Sequence, residues 1–252
     1  MNVRLRTAVG TDVGLVRSNN EDAAYAGTRL LAVADGIGGA PSGEVASEIV
    51  IRALRALEDA AEPGTPETFR AALDAANQEI GAAGAADPTQ QGMGTTLTAL
   101  LVAADGLLLL HVGDSRGYLL RDGTLARLTR DDTFVQELVD RGVIDAEEAR
   151  GHPQRSIVTQ AVQGGEFTAT VNRLVPRTGD RYLLCSDGLS DYVTDEAIQQ
   201  TLELCPEPQP CAERLIRQAI RAGAPDNVTV VVSDVLLAEV AERGDLSGVS
   251  AG

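Results

Sequence analysis

Tryptophan is absent from this 252-residue chain, and phenylalanine and tyrosine together supply only seven residues. With 44% of the residues apolar, the core must therefore be large and aliphatic. Basic residues are also scarce, at 21 against 37 acids, which gives a formal charge of −16. Such a surface repels nucleic acid and anionic lipid, and excludes both as general partners. Only three cysteines occur, Cys185, Cys205 and Cys211, with no CxxC pair among them. Three thiols cannot all pair, and Cys185 ends the apolar run Tyr182–Cys185, so it reads as a buried free thiol suited to a reducing cytosol. The opening residues lack the apolar segment of a signal peptide, and aliphatic runs such as Leu107–Leu110 are far too short to span a bilayer. There is no internal repeat and no long linker, so a cytoplasmic chain without membrane insertion is expected.

The pattern that is present predicts alternating strands and helices. Strands are expected at Arg4–Val9 and Leu30–Ala34. Two amphipathic helices follow, one with Val45, Ile49, Ala53, Leu54 and Leu57 on a single face and one with Phe69, Leu73, Ala76 and Ile80. Between them Gly64-Thr65-Pro66 reads as a helix stop, a cap and a proline in the next helix's first turn. Strands Thr95–Val102, Leu107–His111, Gly117–Leu120 and Leu125–Leu128 are divided by the turn dipeptides Asp105-Gly106 and Asp122-Gly123. A polar segment, 129–153, holds short helices near Phe134–Val139 and Asp145–Arg150. Strands at Ile157–Ala161, Thr168–Leu174 and Asp180–Cys185 lead to helices at Thr194–Leu202 and Cys211–Arg221 and a closing strand, Asn227–Val232. Hairpins interrupted by paired helices predict an α+β domain of antiparallel sheets covered by helices, spanning 1–240, with a disordered tail at 241–252.

Five acidic spots share one grammar, an apolar strand beside an aspartate with glycine next or nearby. They are Asp35-Gly36, Gly113-Asp114, Asp187-Gly188, Asp226-Asn227 and, entering a short strand, Glu21-Asp22. A strand end presents a carboxylate at a sheet rim on a rigid support, and glycine lets an ion or a carbonyl come close. Clustered carboxylates repel one another and need cations to stay ionised together. The candidate donors are all oxygens, which favours Mg²⁺ or Mn²⁺ over zinc, and no twelve-residue calcium loop is present. Two such ions sharing a carboxylate would sit roughly 3.5–4 Å apart, a spacing suited to in-line attack on phosphorus.

Seven ordered motifs then carry a resemblance: Thr11-Asp12-Val13-Gly14…Arg17…Asn20-Glu21-Asp22, Ala34-Asp35-Gly36-Ile37-Gly38-Gly39, Gly43-Glu44-x-Ala46-Ser47, Gly92-Met93-Gly94-Thr95-Thr96, Val112-Gly113-Asp114-Ser115-Arg116, Ser186-Asp187-Gly188-Leu189-x-Asp191 and Asp226-Asn227-Val228-Thr229. The chain resembles the PPM family, the metal-dependent protein phosphatases of type 2C, and more narrowly the stand-alone catalytic domains of bacterial, especially actinobacterial, members. The resemblance implies an α-β-β-α sandwich, two antiparallel sheets flanked by pairs of antiparallel helices. It implies hydrolysis of phosphoserine and phosphothreonine by a monomer that acts on phosphorylated proteins, including Ser/Thr kinases and their substrates. Asp35 would bridge two Mn²⁺ or Mg²⁺ ions with help from the Gly36 carbonyl, Asp187 and Asp226 would complete the site, and Asp114 would help hold a third ion. Glu21 and Asp22 would act through metal-bound waters, and Arg17 would clamp the phosphate; the motif-free reading of Arg17 is a surface charge or a salt bridge to Glu21. Gly94-Thr95-Thr96 reads as packing at a tight strand start. Segment 129–153 corresponds to the flap beside the active site.

Two positions depart from the family pattern. Ile37 stands where many eukaryotic members have a histidine proposed as general acid, and Gly39-Ala40-Pro41 replaces a Gly-Gly-His of many bacterial ones. His111 reads as a satisfied core or rim histidine and His152 as a residue near the cleft, so a metal-bound water is expected to protonate the leaving group. The absence of a Cys-x5-Arg loop disfavours a cysteine phosphatase. The competing reading is a pseudophosphatase, the same fold serving as a binding module, against which all three metal aspartates are retained.

Overall fold

The structure, a computed structural model, describes residues 3–39 and 42–237. In chain order its elements are β1 (Val3–Asp12), β2 (Ala23–Ala26), β3 (Leu30–Ala34), β4 (Gly36–Ile37), α1 (Ser42–Arg55) and α2 (Pro66–Ala86). There follow β5 (Gly94–Thr95), β6 (Leu97–Ala103), β7 (Gly106–Val112), β8 (Arg116–Arg121), β9 (Thr124–Arg127), α3 (Phe134–Asp140) and α4 (Ala146–Arg150). The remainder is β10 (Thr170–Leu174), β11 (Arg181–Cys185), α5 (Asp187–Ser190), α6 (Asp195–Leu204), α7 (Pro208–Arg221) and β12 (Val228–Leu237).

Two five-stranded antiparallel sheets form, ordered β1-β12-β11-β8-β9 and β10-β7-β6-β3-β2, with β4 and β5 as a short separate ladder. Their inner strands are apolar along their whole length because both faces are covered. In β3, Leu30 and Ala32 turn toward Ile49, Leu54, Phe69 and Leu73 of α1 and α2, while Leu31 and Val33 turn toward the other sheet. In β11, Leu183 and Cys185 face Ile198, Leu202 and Leu215 of α6 and α7, while Tyr182 and Leu184 face inward. Three apolar layers thus lie between four layers of structure, the α-β-β-α sandwich expected. The core is aliphatic as composition requires: Tyr118, Tyr182 and Phe69 are the aromatics among its largest buried side chains.

Local chemistry fixes the element ends. Thr65 caps α2 by accepting from Thr68 N at 3.1 Å, and Pro66 fills the first turn. Asp122 and Gly123 both take positive φ, 51° and 72°, as a tight hairpin demands. Both helices expected in segment 129–153 are present as α3 and α4, and all three cysteines are buried and free. Two strand expectations need correction. Thr95–Val102 is broken at Thr96, and Ile157–Ala161 joins no sheet; Val158 and Val162 make only single bridges, to Thr133 and Thr95. The tail at 241–252 lies outside the described residues.

Candidate metal centre

Asp35 follows the last residue of β3, and the break at Thr96 is what holds it. Thr96 N donates to the Asp35 carbonyl at 2.9 Å, Asp35 N donates to Thr96 Oγ1 at 3.2 Å, and Thr95 Oγ1 donates to the same carbonyl at 2.9 Å. The threonines therefore pack the site's backbone, as expected, and Thr96 also lines the cleft. Gly36 has no room for a side chain: a Cβ there would lie 2.4 Å from the Gly43 carbonyl oxygen and 2.5 Å from that of Glu21. A larger residue would push α1 and the Glu21 segment away from the Asp35 turn.

Strand β11 delivers Asp187 at the first position of α5, a short helical turn that the sequence did not reveal. Strand β12 is preceded by Asp226, whose Oδ1 accepts from Asn227 N at 2.8 Å. The Asn227 side chain reaches further. It donates to Val13 O and Asn19 O, both at 2.9 Å, and accepts from Glu21 N at 2.8 Å, tying the 13–21 loop to the Asp226 turn. Leu15 N and Val16 N reinforce that tie by donating to Ala224 O and Pro225 O. Gly14, at φ 78°, has its α-carbon so close to the Asp226 carbonyl that a Cβ would lie 2.0 Å from the oxygen.

Arg17 is thereby placed beside Asp226, and its Nη2 donates to Asp226 Oδ2 at 2.7 Å. The motif-free alternative, a salt bridge to Glu21, is not the pairing found. Glu21 lines the cleft and Asp22 does not: Glu21 Oε1 accepts from Asn19, and Asp22 Oδ2 accepts from Ser186 Oγ at 2.8 Å. The other oxygen of Asp22, Oδ1, is buried with no hydrogen-bond partner.

A cleft of ≈ 320 Å³ gathers Glu21, Asp35, Asp114, Asp187 and Asp226, with Arg17 as its one basic lining residue. Burial raises the Asp35 carboxyl well above the usual carboxylate range, and the charges of Asp22, Asp187, Asp114 and Asp226 push it further. Asp187 is raised in the same way, by burial first and then by Asp114, Asp191, Asp226 and Asp22. Burial lifts Asp22 to about 6 despite the Ser186 and Thr229 bonds, and it lifts Asp114, with Asp131 and Asp191 adding, to about 7. Such a cluster binds cations. Among the described residues no three acidic, histidine or cysteine side chains are already drawn together at the spacing of a bound ion, and Asp226 is turned toward Arg17.

The opposite wall is segment 156–163, where Ser156, Val158, Thr159, Gln160, Ala161 and Gln163 face the cleft. The sequence offered no functional signal for it beyond the doubled glycine that follows. The 129–153 segment lies beside the cleft and roofs a second cavity, of ≈ 170 Å³, which shares Asp114 and Asp187 with the first. Arg150 donates to Ser190 O at 2.9 Å and Arg155 to Asp191 at 3.3 Å, so the segment is fastened to α5, directly after Asp187. Neither histidine lines the cleft. His111 is buried, with Nδ1 against Thr98 Oγ1 and Nε2 against Arg130 O, both at 2.9 Å, and burial holds its pKa down. His152, in the segment beside the cleft, accepts from Gln154 N and lies against Phe134.

Residues 16–221 match the family model described as protein phosphatase 2C. The chain belongs to that family. Among curated relatives, the serine/threonine protein phosphatase PstP of Mycobacterium tuberculosis is 56% identical over 234 residues, which cover 92% of this chain and 45% of that protein. The chain thus spans about half the length of that relative. The serine/threonine phosphatase stp of Listeria monocytogenes is 36% identical over 237 residues, covering 88% of this chain and 92% of its own. Among solved structures, the M. tuberculosis phosphatase PstP superposes with a TM-score of 0.88 at 56% identity, over 92% of this chain and 98% of the other. A structure of the PstP catalytic domain in complex with two manganese ions superposes at 0.86 with 53% identity, covering 94% and 100%.

Proposed function

We propose that this chain is the catalytic domain, residues 1–240, of a metal-dependent protein serine/threonine phosphatase. The observation that carries the reading is one cleft into which five carboxylates from separate segments converge with a single arginine. Its donors are oxygens, Asp35 and Asp187 are buried among other acids, and Asp22 Oδ1 is buried without a partner, so the residues present fit hard divalent cations such as Mn²⁺ or Mg²⁺. Asp35, with the Gly36 carbonyl, would be shared between two ions, and Asp187 and Asp226 would complete the site. Asp114 with Asp187 would hold a third ion, and Glu21 and Asp22 would act through coordinated water. When bound, the ions supply Lewis-acid stabilisation of phosphoryl charge and hydroxide at neutral pH.

The protein's own part follows from its geometry. Arg17 is half exposed and, among the described residues, its one side-chain partner is Asp226; with Asp226 turned inward to a cation, the guanidinium fork would be free to grip the phosphate of phosphoserine or phosphothreonine. The leaving alkoxide needs a proton, and neither His111 nor His152 can deliver it from where it stands. Water near Asp114 is the donor that remains, so Asp114→Asn lowers turnover of phosphopeptides and aryl phosphates. The substrates are phosphorylated proteins, including Ser/Thr kinases and their targets, and three free buried thiols suit a monomer working in the reducing cytoplasm. The deciding experiment incubates the protein with a phosphothreonine peptide and Mn²⁺, then adds EDTA. Phosphate release that stops on chelation supports the enzyme. No release under any divalent cation leaves the fold a binding module.

A further inference from the structure

Beyond the cleft, between α2 and the loop that carries Gln160–Thr168, runs an open groove of ≈ 580 Å³ lined by Asp74, Asn77, Gln160, Glu166 and Phe167 among others. The groove is built rather than incidental. Asn77 fastens the loop to α2 twice, accepting from Gly164 N at 2.7 Å and donating to Gly165 O at 2.8 Å. Gly81 and Gly164 meet so closely that a Cβ on Gly164 would lie 2.4 Å from the Gly81 α-carbon. Upstream, Thr95 and Val162 exchange backbone bonds at 3.0 and 2.9 Å, so the loop is held against β5 as well.

Three features of the groove give it a chemistry. First, it is continuous with the cleft, because Gln160 lines both. The Gln160 Oε1 is taken by Thr168 N at 2.9 Å, which leaves its amide N–H groups, unpartnered among the described residues, to donate to a passing peptide carbonyl. Second, the walls carry Asp74 on the helix side and Glu166 on the loop side, both exposed and neither in an ion pair among the described residues. Third, Phe167 packs its inner side on the core beneath α2 and offers the rest of its ring to the groove. A long side chain with an apolar stem and a cationic head matches an aromatic surface flanked by two carboxylates.

We propose that this groove receives the substrate polypeptide beside the phosphorylated residue and selects for an arginine or lysine there. The proposal rests on the phosphatase reading above. It adds Asp74 and Glu166 as specificity residues and Gln160 as the group that guides the peptide from one space to the other. It commits to one occupant, a basic segment of the phosphoprotein itself, on the grounds of charge complementarity and of continuity with the cleft.

The test compares phosphothreonine peptides that differ only in one residue, arginine or glutamate, placed at successive positions on either side of the phosphothreonine, with Mn²⁺ present. The expected result is a kcat/KM ratio of roughly three- to tenfold favouring arginine on one side only, the range of one or two solvent-facing ion pairs. That ratio falls toward one in Asp74→Asn with Glu166→Gln, and it also falls in the unaltered protein as salt rises from about 0.05 to 0.5 M. Turnover of p-nitrophenyl phosphate stays unchanged in this double variant, which shows that it is folded. A ratio near one in the unaltered protein, or a preference that survives both substitutions, overturns the groove assignment while leaving the enzyme intact. Failure to hydrolyse either peptides or aryl phosphate overturns the phosphatase reading, and the groove assignment with it.

Discussion

At the end of the first sheet remote from the cleft, Asp234 accepts from Arg181 at 2.6 Å and from Arg6 at 2.7 Å, and Asp180 accepts from Arg121 at 2.7 and 2.6 Å. Arg181 uses its remaining donors on Leu202 O, Cys205 O and Pro206 O, closing the C-terminal end of α6. At the cleft end of the same strands, Asp187 and Asp226 lie beside Asp35 and Asp114, and Arg17 is the one basic residue lining the cleft. Both ends draw carboxylates out of water, and the difference is what answers them. The remote end is completed by the chain's own cations and serves stability. The cleft end is left incomplete, so burial and mutual repulsion raise Asp35, Asp114 and Asp187 toward the neutral form, the state an outside cation would reverse.

That contrast can be tested by removing one carboxylate from each end. Asp35→Asn or Asp187→Asn should lower Mn²⁺-supported kcat/KM by on the order of 10³-fold, yet raise the melting temperature of the metal-free protein by relieving repulsion. Asp234→Asn should do the reverse. It leaves Arg181 buried without its carboxylate and costs about 3–5 kcal/mol in denaturant titration, while kcat per folded molecule changes little. A smaller effect is expected from Arg17→Lys, which keeps the charge but loses the fork: kcat/KM for a phosphopeptide falls by roughly tenfold in steady-state kinetics. The smallest is a pH effect. Asp22 and Asp114 have folded pKa values raised to about 6 and about 7, so their contribution to stability is fully present below about pH 4 and is lost as pH rises through that range; Asp35 and Asp187 are raised in the same direction by burial and by their acidic neighbours. Metal-free protein should therefore melt a few degrees lower at pH 7.5 than at pH 5, and saturating Mn²⁺ should remove that difference. A metal-free protein that melts highest at pH 7.5 would show that the acids are already compensated.

Features with a short period were legible in the sequence. Phe69, Leu73, Ala76 and Ile80 repeat at helical spacing and all four are buried on α2, and the strand-end aspartates announce themselves by the apolar runs beside them. What could not be read depends on residues far apart in the chain. Arg17 has Glu21 one turn-length away in sequence, but its partner is Asp226, 209 residues on, because Asn227 and Gly14 seat the loop against that turn. Ile157–Ala161 has the composition of a strand, yet it makes one bridge, Val158 to Thr133, with a second just beyond it, Val162 to Thr95, and it becomes a wall of the cleft. The helical turn after Ser186 was hidden by Gly188 and Ser190, poor helix formers held there by Asp191 N donating to Asp187 O at 2.8 Å.

The Asn227 side chain, which gathers Val13, Asn19 and Glu21 onto the turn before β12, also sets the order in which the site comes into being. The ribosome releases Arg17 early and Asp226 late, and β1 cannot pair with β12 until almost the whole domain has emerged. A nascent chain that has reached the end of α7 holds every helix of the sandwich and three of its cleft aspartates, but has nothing to anchor the arginine loop. The cleft can therefore close only after Asp226 and Asn227 have emerged, and a chain terminated before them lacks both that carboxylate and the seat of the arginine loop.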